Sequence, residues 1–375
     1  MSGVGAVITN FTLPNLNLHF LEGVSTPFFA SLERASRLVD ITYCVGTSGI
    51  APPFSCVSRC KEFPSLRLVR TWNTGVLLSD SCGYIAVDGD GDDDDDENGS
   101  GGKGKGKGTA GQGEIVVAFR GTYSIANTVC DNCTVHMGFM ASWRNAREVV
   151  IPALVAAREE HPGYRVHLVG HSLGGAVAAL AALELRLGMG WRDVLVTTFG
   201  EPRVGNAKLA EYLDRAFGLG KDERERSAYR RVTHVDDPVP LLPLSEWGYR
   251  SHAGEVYISK SSLPPGPEDL KFCRGDNDPE CLGGADTEDW LGWVLGLGRR
   301  GRMQEEADDQ VEALGLRRRW FPARLKLWQL FFAHRDYFWR LGLCLPGGDP
   351  ADWGRDKYNL TSVESTGDSL EPQDL

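Results

Sequence analysis

The residues with the plainest chemical meaning are Gly170, His171, Ser172, Leu173 and Gly174, a Gly-x-Ser-x-Gly pentad. They follow a short β-rich run at 164–169 and lead into an alanine-rich stretch from 173. A serine held between a strand and a helix in this way is a nucleophile elbow. The turn is so tight that the residues two before and two after Ser172 must lack side chains. It lifts the serine hydroxyl clear of the sheet and sets the following amides at a helix N-terminus, where developing negative charge is stabilised. The chemistry is acyl transfer by a hydrolytic serine. The bland alternative is a glycine-rich turn that only packs a helix on a strand.

A serine hydroxyl is a poor nucleophile until a histidine takes its proton, and that histidine needs a carboxylate to fix its tautomer. In hydrolases with this elbow the chain order is serine, acid, histidine. The histidines after Ser172 are His234, His252 and His334. The best acids are the pair Asp236 and Asp237, where a strand runs out into aspartates and then prolines. That suits a carboxylate presented at the carboxyl end of a sheet strand. On residue types alone, both aspartates and all three histidines stay open.

The elements that must position these groups are legible from periodicity. Spaced apolar residues predict helices over 28–46, 141–160, 173–188, 206–217 and 325–343. Buried strands are expected at 76–87, 114–119, 166–169, 194–199, 230–234 and 255–258. Strands alternating with helices imply an α/β fold with a largely parallel sheet covered on both faces. Two stretches break the pattern. One is an Asp run followed by Gly-Lys repeats (89–113), a low-complexity hairpin insertion. The other is a long excursion (264–324) with Trp290 and Trp293 and arginine clusters, read as a substitute cap or lipid contact, or else as a disordered basic insertion. The expected organisation is an N-terminal extension (1–24), a catalytic unit (25–346) and an acidic disordered tail (347–375).

Composition bounds the function. A chain of 375 residues, 42% hydrophobic and 9% aromatic, can bury one large core. The net charge is −11, but 88–107 carries −5 of it and 364–374 carries −4. Such tracts are solvated rather than substrate-binding, and nothing points to nucleic acid. No apolar stretch is long enough for a membrane span, and the first residues lack the basic and apolar regions of a signal peptide. The nine cysteines nevertheless suggest an oxidising compartment. Cys56/Cys60, Cys130/Cys133 and Cys273/Cys281 are close pairs, Cys44 and Cys344 sit at opposite ends, and Cys82 is left over. Sequons at Asn10, Asn98, Asn132 and Asn359 fit a secreted glycoprotein. A redox or zinc role for Cys130 and Cys133 is disfavoured, because no second pair has ligand spacing.

Several motifs, in order, resemble the fungal class 3 lipases, a family of triacylglycerol lipases and feruloyl esterases with the α/β-hydrolase fold. The stretch 115–122 ending in Arg120-Gly121-Thr122 resembles the oxyanion strand and loop. Val135-His136-Met137-Gly138-Phe139 resembles a His-x-Gly-Phe strand, and Gly170–Gly175 the elbow with its usual histidine and leucine. The strand and turn at 199–206, the acid motif at 233–243 and the turn Gly248–His252 also match, so the likeness spans about 28–346. It implies Ser172 as nucleophile, Asp237 as the acid of an Asp-x-Val-Pro motif, and His334 as the base in the last helix before the terminal cysteine. It implies an oxyanion hole from the amides of Leu173 and Thr122, with the Thr122 hydroxyl adding a donor. His252 becomes a packed or surface histidine, and His171 a family feature rather than a base. The implied bridges are Cys44–Cys344, Cys56–Cys60 and Cys130–Cys133, with Cys273–Cys281 as an extra one and Cys82 unpaired and buried. No cofactor or metal is implied, and the partner is a lipid or other ester substrate at a lipid–water interface.

The chain departs from the family where a helical lid should lie, since only 123–129 separates Thr122 from Cys130. Either the enzyme is lidless or a coding segment is missing, and the continued match on both sides favours the second. The expected function is a secreted carboxylic ester hydrolase acting on acylglycerols through an acyl-enzyme. The alternatives are a phospholipase A1 or feruloyl-type esterase on the same triad, or a catalytically silent binding protein.

Overall fold

Apolar side chains at Phe28, Leu32, Ala35 and Leu38 fall on one stripe, and they are buried along the first helix, α1 (Thr26–Ile41). Its N-terminus is capped by the Ser25 hydroxyl, which accepts from the Phe28 amide. This is a computed structural model, and it describes residues 23–75, 80–89, 113–121, 132–220, 225–274, 278–282 and 333–354. In chain order there follow β1 (Leu66–Asn73), β2 (Cys82–Asp88), β3 (Glu114–Phe119), α2 (Met137–Glu160), β4 (Arg165–His171) and α3 (Leu173–Leu183). Then come β5 (Val194–Phe199), β6 (Gly205–Asn206), α4 (Ala207–Phe217), β7 (Tyr229–His234), β8 (Tyr249–Arg250), β9 (Glu255–Ile258) and β10 (Leu270–Phe272).

Eight of these strands form one sheet in the order β1-β2-β3-β4-β5-β7-β9-β10. The centre, from β3 to β9, is parallel, and antiparallel strands close both edges. The central strands are buried on both faces, which is why they read as unbroken apolar runs. Alternate residues serve opposite faces. Ile115, Val117 and Phe119 pack with α2 and α3, while Val116 and Ala118 pack with α1 and with Tyr337, Phe338, Trp339 and Leu341. Helix α3 is buried along its whole length, and its alanines let it lie close to the sheet. Among the described residues no helix is long and apolar enough to cross a membrane.

The α/β architecture and the strands at 114–119, 194–199 and 255–258 stand as expected from sequence. Other expectations are corrected. Of the strand predicted at 76–87, residues 76–79 lie outside the described residues, 80–81 are not strand, and β2 begins at Cys82; β1 shows little apolar pattern because most of its side chains face solvent. His136 through Phe139 is not a strand but the entry and first turn of α2, with Val135 bridging to Gly205. Of the helix predicted over 325–343, residues 325–332 lie outside the described residues and Ala333 is helical, but His334 lies beyond it, and the chain from there runs in turns with an isolated bridge between Asp336 and Arg340. The excursion begins with order, since Leu270–Phe272 pairs with β9 as the edge strand β10. The folded chain also continues past 346. Asp349 caps the short 3-10 turn Pro350–Asp352, and Asp352 is buried against Arg59. The extension at 1–22, the insertion at 90–112, the lid region at 123–129, the stretch 283–332 with Trp290 and Trp293, and the tail from 355 lie outside the described residues, as do Asn10, Asn98 and Asn359.

Candidate active site

Ser172 sits between β4 and α3 with φ 58° and ψ −130°, a backbone conformation that side chains other than glycine rarely adopt. The turn is closed by its glycines. A Cβ on Gly170 would lie 2.2 Å from the Gly174 carbonyl oxygen, and one on Gly174 would lie 2.4 Å from that of Phe119. The strained residue is held because its amide donates to the Phe199 carbonyl at 2.9 Å, tying the elbow to the end of β5. The Leu173 amide is the first of α3, so it has no acceptor within the helix and can turn to an incoming anion. Gly121 closes on the other side: a Cβ there would lie 2.6 Å from that of Ser172. Thr122, the second expected oxyanion donor, lies outside the described residues.

Asp237 and His334, the expected acid and base, meet. The Asp237 carboxylate follows the end of β7 and is fully buried, and the Nδ1 of His334 approaches its two oxygens at 3.0 and 2.9 Å. A carboxylate accepts only, so Nδ1 carries the proton, which leaves Nε2 as the proton acceptor. That Nε2 is buried and has no partner among the described residues. Two further donors hold the carboxylate: the Tyr337 hydroxyl at 2.5 Å and the Val239 amide at 2.9 Å. Burial alone would raise the Asp237 carboxyl, but His334 beside it and these hydrogen bonds hold it below its ordinary value. Asp236, by contrast, is exposed, and its amide faces Nδ1 of His234.

Gly200, at the end of β5, is where the parts converge. Its φ is +58°, and a Cβ would lie 2.7 Å from Cε1 of His334 and 2.8 Å from both Asp237 Oδ2 and the Tyr337 hydroxyl. The carbonyl of Phe199, one residue earlier, is the one that holds the Ser172 amide. Ser172, Asp237 and His334, far apart in sequence, are therefore gathered around Phe199–Gly200 at the carboxyl edge of the parallel sheet. Beneath them Glu201 is buried and fully occupied, accepting from Thr198 at 2.6 Å, from Tyr229 at 2.8 Å and meeting Nε2 of His252 at 2.9 Å. His252 is thus a packed histidine, as expected.

Sequence reading passed over Tyr337 and Gly200. Tyr337 stands in an aromatic run whose spacing gives no hint that one hydroxyl reaches a carboxylate. Cys44–Cys344, Cys56–Cys60 and Cys273–Cys281 are bridged, Cys82 is free and buried, and Cys130 lies outside the described residues.

Residues 106–247 match the model of the family described as lipase (class 3). The chain is 54% identical to a secreted mono- and diacylglycerol lipase 2 of Gibberella zeae, over 92% of this chain and 89% of that protein. It is 52% identical to lipase A of Sodiomyces alcalophilus, over 88% of this chain and 86% of the relative. Among solved structures, Lip2 lipase of Yarrowia lipolytica superposes with a TM-score of 0.62 at 27% identity, covering 86% of this chain and 97% of that one.

Proposed function

Because this chain belongs to the class 3 lipases, and so is a carboxylic ester hydrolase of the secreted kind its disulfides suit, we propose that Ser172, Asp237 and His334 are its catalytic triad and that it cleaves acylglycerols. One observation carries the reading: a buried Asp237–His334 pair whose imidazole, with Nε2 unpartnered among the described residues, stacks on the ring of His171, the neighbour of Ser172 in the strained elbow. Ser172 Oγ attacks the ester carbonyl as His334 Nε2 takes its proton, and Asp237 stabilises the imidazolium. The oxyanion is met by the Leu173 amide and by Thr122 beside Gly121. The tetrahedral intermediate collapses, the C–O bond to glycerol breaks, and the alcohol leaves with the proton from His334. Water, deprotonated by the same nitrogen, then releases the fatty acid and restores Ser172.

The 54% identical relative is named for mono- and diacylglycerols, which supports partial glycerides as the preferred substrate. The folded catalytic unit would run from 25 through the Asp352 turn. The test is labelling by a fluorophosphonate, with release of fatty acid from mono-, di- and triacylglycerol, a phospholipid and a feruloyl ester. Labelling and acylglycerol hydrolysis are expected in the native protein and absent in Ser172→Ala. Equal labelling of both would remove the triad assignment, and turnover of only the phospholipid or feruloyl ester would replace the substrate class.

A further inference from the structure

His171, next to the nucleophile, takes part in no step of that mechanism, yet its ring is bonded at both nitrogens. Nε2 lies 2.8 Å from the backbone carbonyl oxygen of His334, and Nδ1 lies 2.5 Å from the hydroxyl of Tyr43. A carbonyl only accepts, so Nε2 carries the hydrogen, and Nδ1 must then accept from the phenol. One tautomer satisfies both contacts. The ring is buried, and burial, reinforced by the neighbouring His334, lowers it to about 3, so it stays neutral. Burial also pushes the Tyr43 phenol up, which keeps its donor proton in place. The His171 ring further stacks on that of His334, with centroids 4.5 Å apart and planes at 27°.

His334 needs such support. It opens a stretch of turns (334–349), where among the described residues no sheet ladder fixes its backbone. Asp237 orients the imidazole from one end, but a ring held only at Nδ1 can swing with its own backbone. His171 fixes the opposite end of the same residue, at its carbonyl. Because His171 is the last residue of β4 and Ser172 follows it directly, one rigid ring spans nucleophile and base. Tyr43 belongs to the short 3-10 turn Thr42–Cys44, and Cys44 is bridged to Cys344, ten residues beyond His334. The Gly342 amide, in the same stretch, donates to Asp40 at 2.7 Å.

We propose that Tyr43 and His171 are positioning residues: their hydrogen-bonded pair sets the backbone of the base relative to the nucleophile. The inference rests on Ser172 and His334 being the nucleophile and base. A pair that only filled the interior would affect stability alone. A positioning pair must affect turnover at each correctly folded site, with little change in KM for a small soluble ester.

The experiment measures kcat and KM on p-nitrophenyl butyrate, per site titrated to completion with a fluorophosphonate, together with Tm. Tyr43→Phe removes the donor to Nδ1, so the ring is free to present a bare nitrogen to the His334 carbonyl. His171→Phe keeps a ring but loses both hydrogen bonds. His171→Gln retains an amide hydrogen that reaches toward the carbonyl. We expect kcat per site to fall about tenfold in Tyr43→Phe and further in His171→Phe, with KM within about twofold, as a sub-ångström misplacement of a base allows. His171→Gln should recover most of the loss. Unchanged kcat per site in Tyr43→Phe, or losses confined to Tm and to the number of titratable sites, would overturn the proposal. If the native protein is not labelled, or Ser172→Ala retains turnover, it is the triad assignment that fails instead.

Discussion

The two halves of the site are built by different means. Ser172, the proposed nucleophile, stands between β4 and α3, where backbone hydrogen bonds, buried apolar faces and three closely spaced glycines determine its place. His334, the proposed base, stands on a strap of turns, 334–354, held to the rest of the molecule by discrete fasteners. These are the Cys44–Cys344 bridge, the Asp237 and Asp40 hydrogen bonds, and a buried cluster in which Arg59 meets Asp40 at 3.0 Å and Asp352 at 2.8 Å. Trp339, from the strap, lies beneath the guanidinium groups of Arg37 and Arg59, at 4.8 and 4.4 Å. A half made by secondary structure is lost only when the core is lost. A half made by fasteners can be loosened one contact at a time.

The largest effect expected from this contrast is in Asp237→Asn. The amide can present the wrong hydrogen-bonding face to Nδ1, so kcat should drop by about 10⁴. Fluorescence and Tm should stay close to native, because the elbow and the sheet are untouched. A drop below tenfold would mean that Asp237 is not the partner of the base.

The staple comes next. Replacing both Cys44 and Cys344 by serine opens a bridge spanning 300 residues of sequence, and loss of a native disulfide typically costs roughly 2–5 kcal/mol. Both Tm and kcat should fall, with kcat per titrated site falling even well below Tm. If kcat per site stayed native, the strap would be positioned without its covalent tie and the contrast would be wrong.

The smallest effect is one of pH, and it lies at His171, where the halves touch. Its value is about 3 in the folded protein against an ordinary 6.5. The unfolded chain therefore binds this proton first as pH falls. The associated stability is complete above about 6.5 and is lost progressively as pH drops toward 3. Between pH 7 and pH 5 that amounts to about 2 kcal/mol. Urea titrations at the two pH values should show this loss in the native protein and a smaller one in His171→Gln. Identical pH dependence in both would show that His171 is not held neutral.

The same contrast explains what was legible. The elbow, the parallel strands and the order of serine, acid and histidine are local or topological, so residues 166–175, 194–199 and the 233–243 stretch announced them. Edge strand β1 carries few buried side chains and gave no apolar pattern. The aromatic run of the strap reads as helix, yet Tyr337, Phe338, Trp339 and Leu341 are buried nearly in succession rather than on one helical face. Nothing in the sequence said that Tyr337 would reach Asp237, or that Tyr43 would reach His171, since the contacts cross 100 and 128 residues. The acids at 349 and 352 looked like the start of a solvated tail. Their partners are the Arg340 amide and Arg59, which no local window contains.

Arg59 has a consequence for where this polypeptide can be cut. A protease nick or a premature stop just after Pro346 would leave every group of the proposed triad in the chain, yet it would remove Asp352 from a guanidinium whose side chain is only 1% exposed. An interior cation deprived of one of its anions is costly, of the order of a few kcal/mol. Trimming a segment that looks dispensable would then act from a distance like a lesion at the centre of the fold.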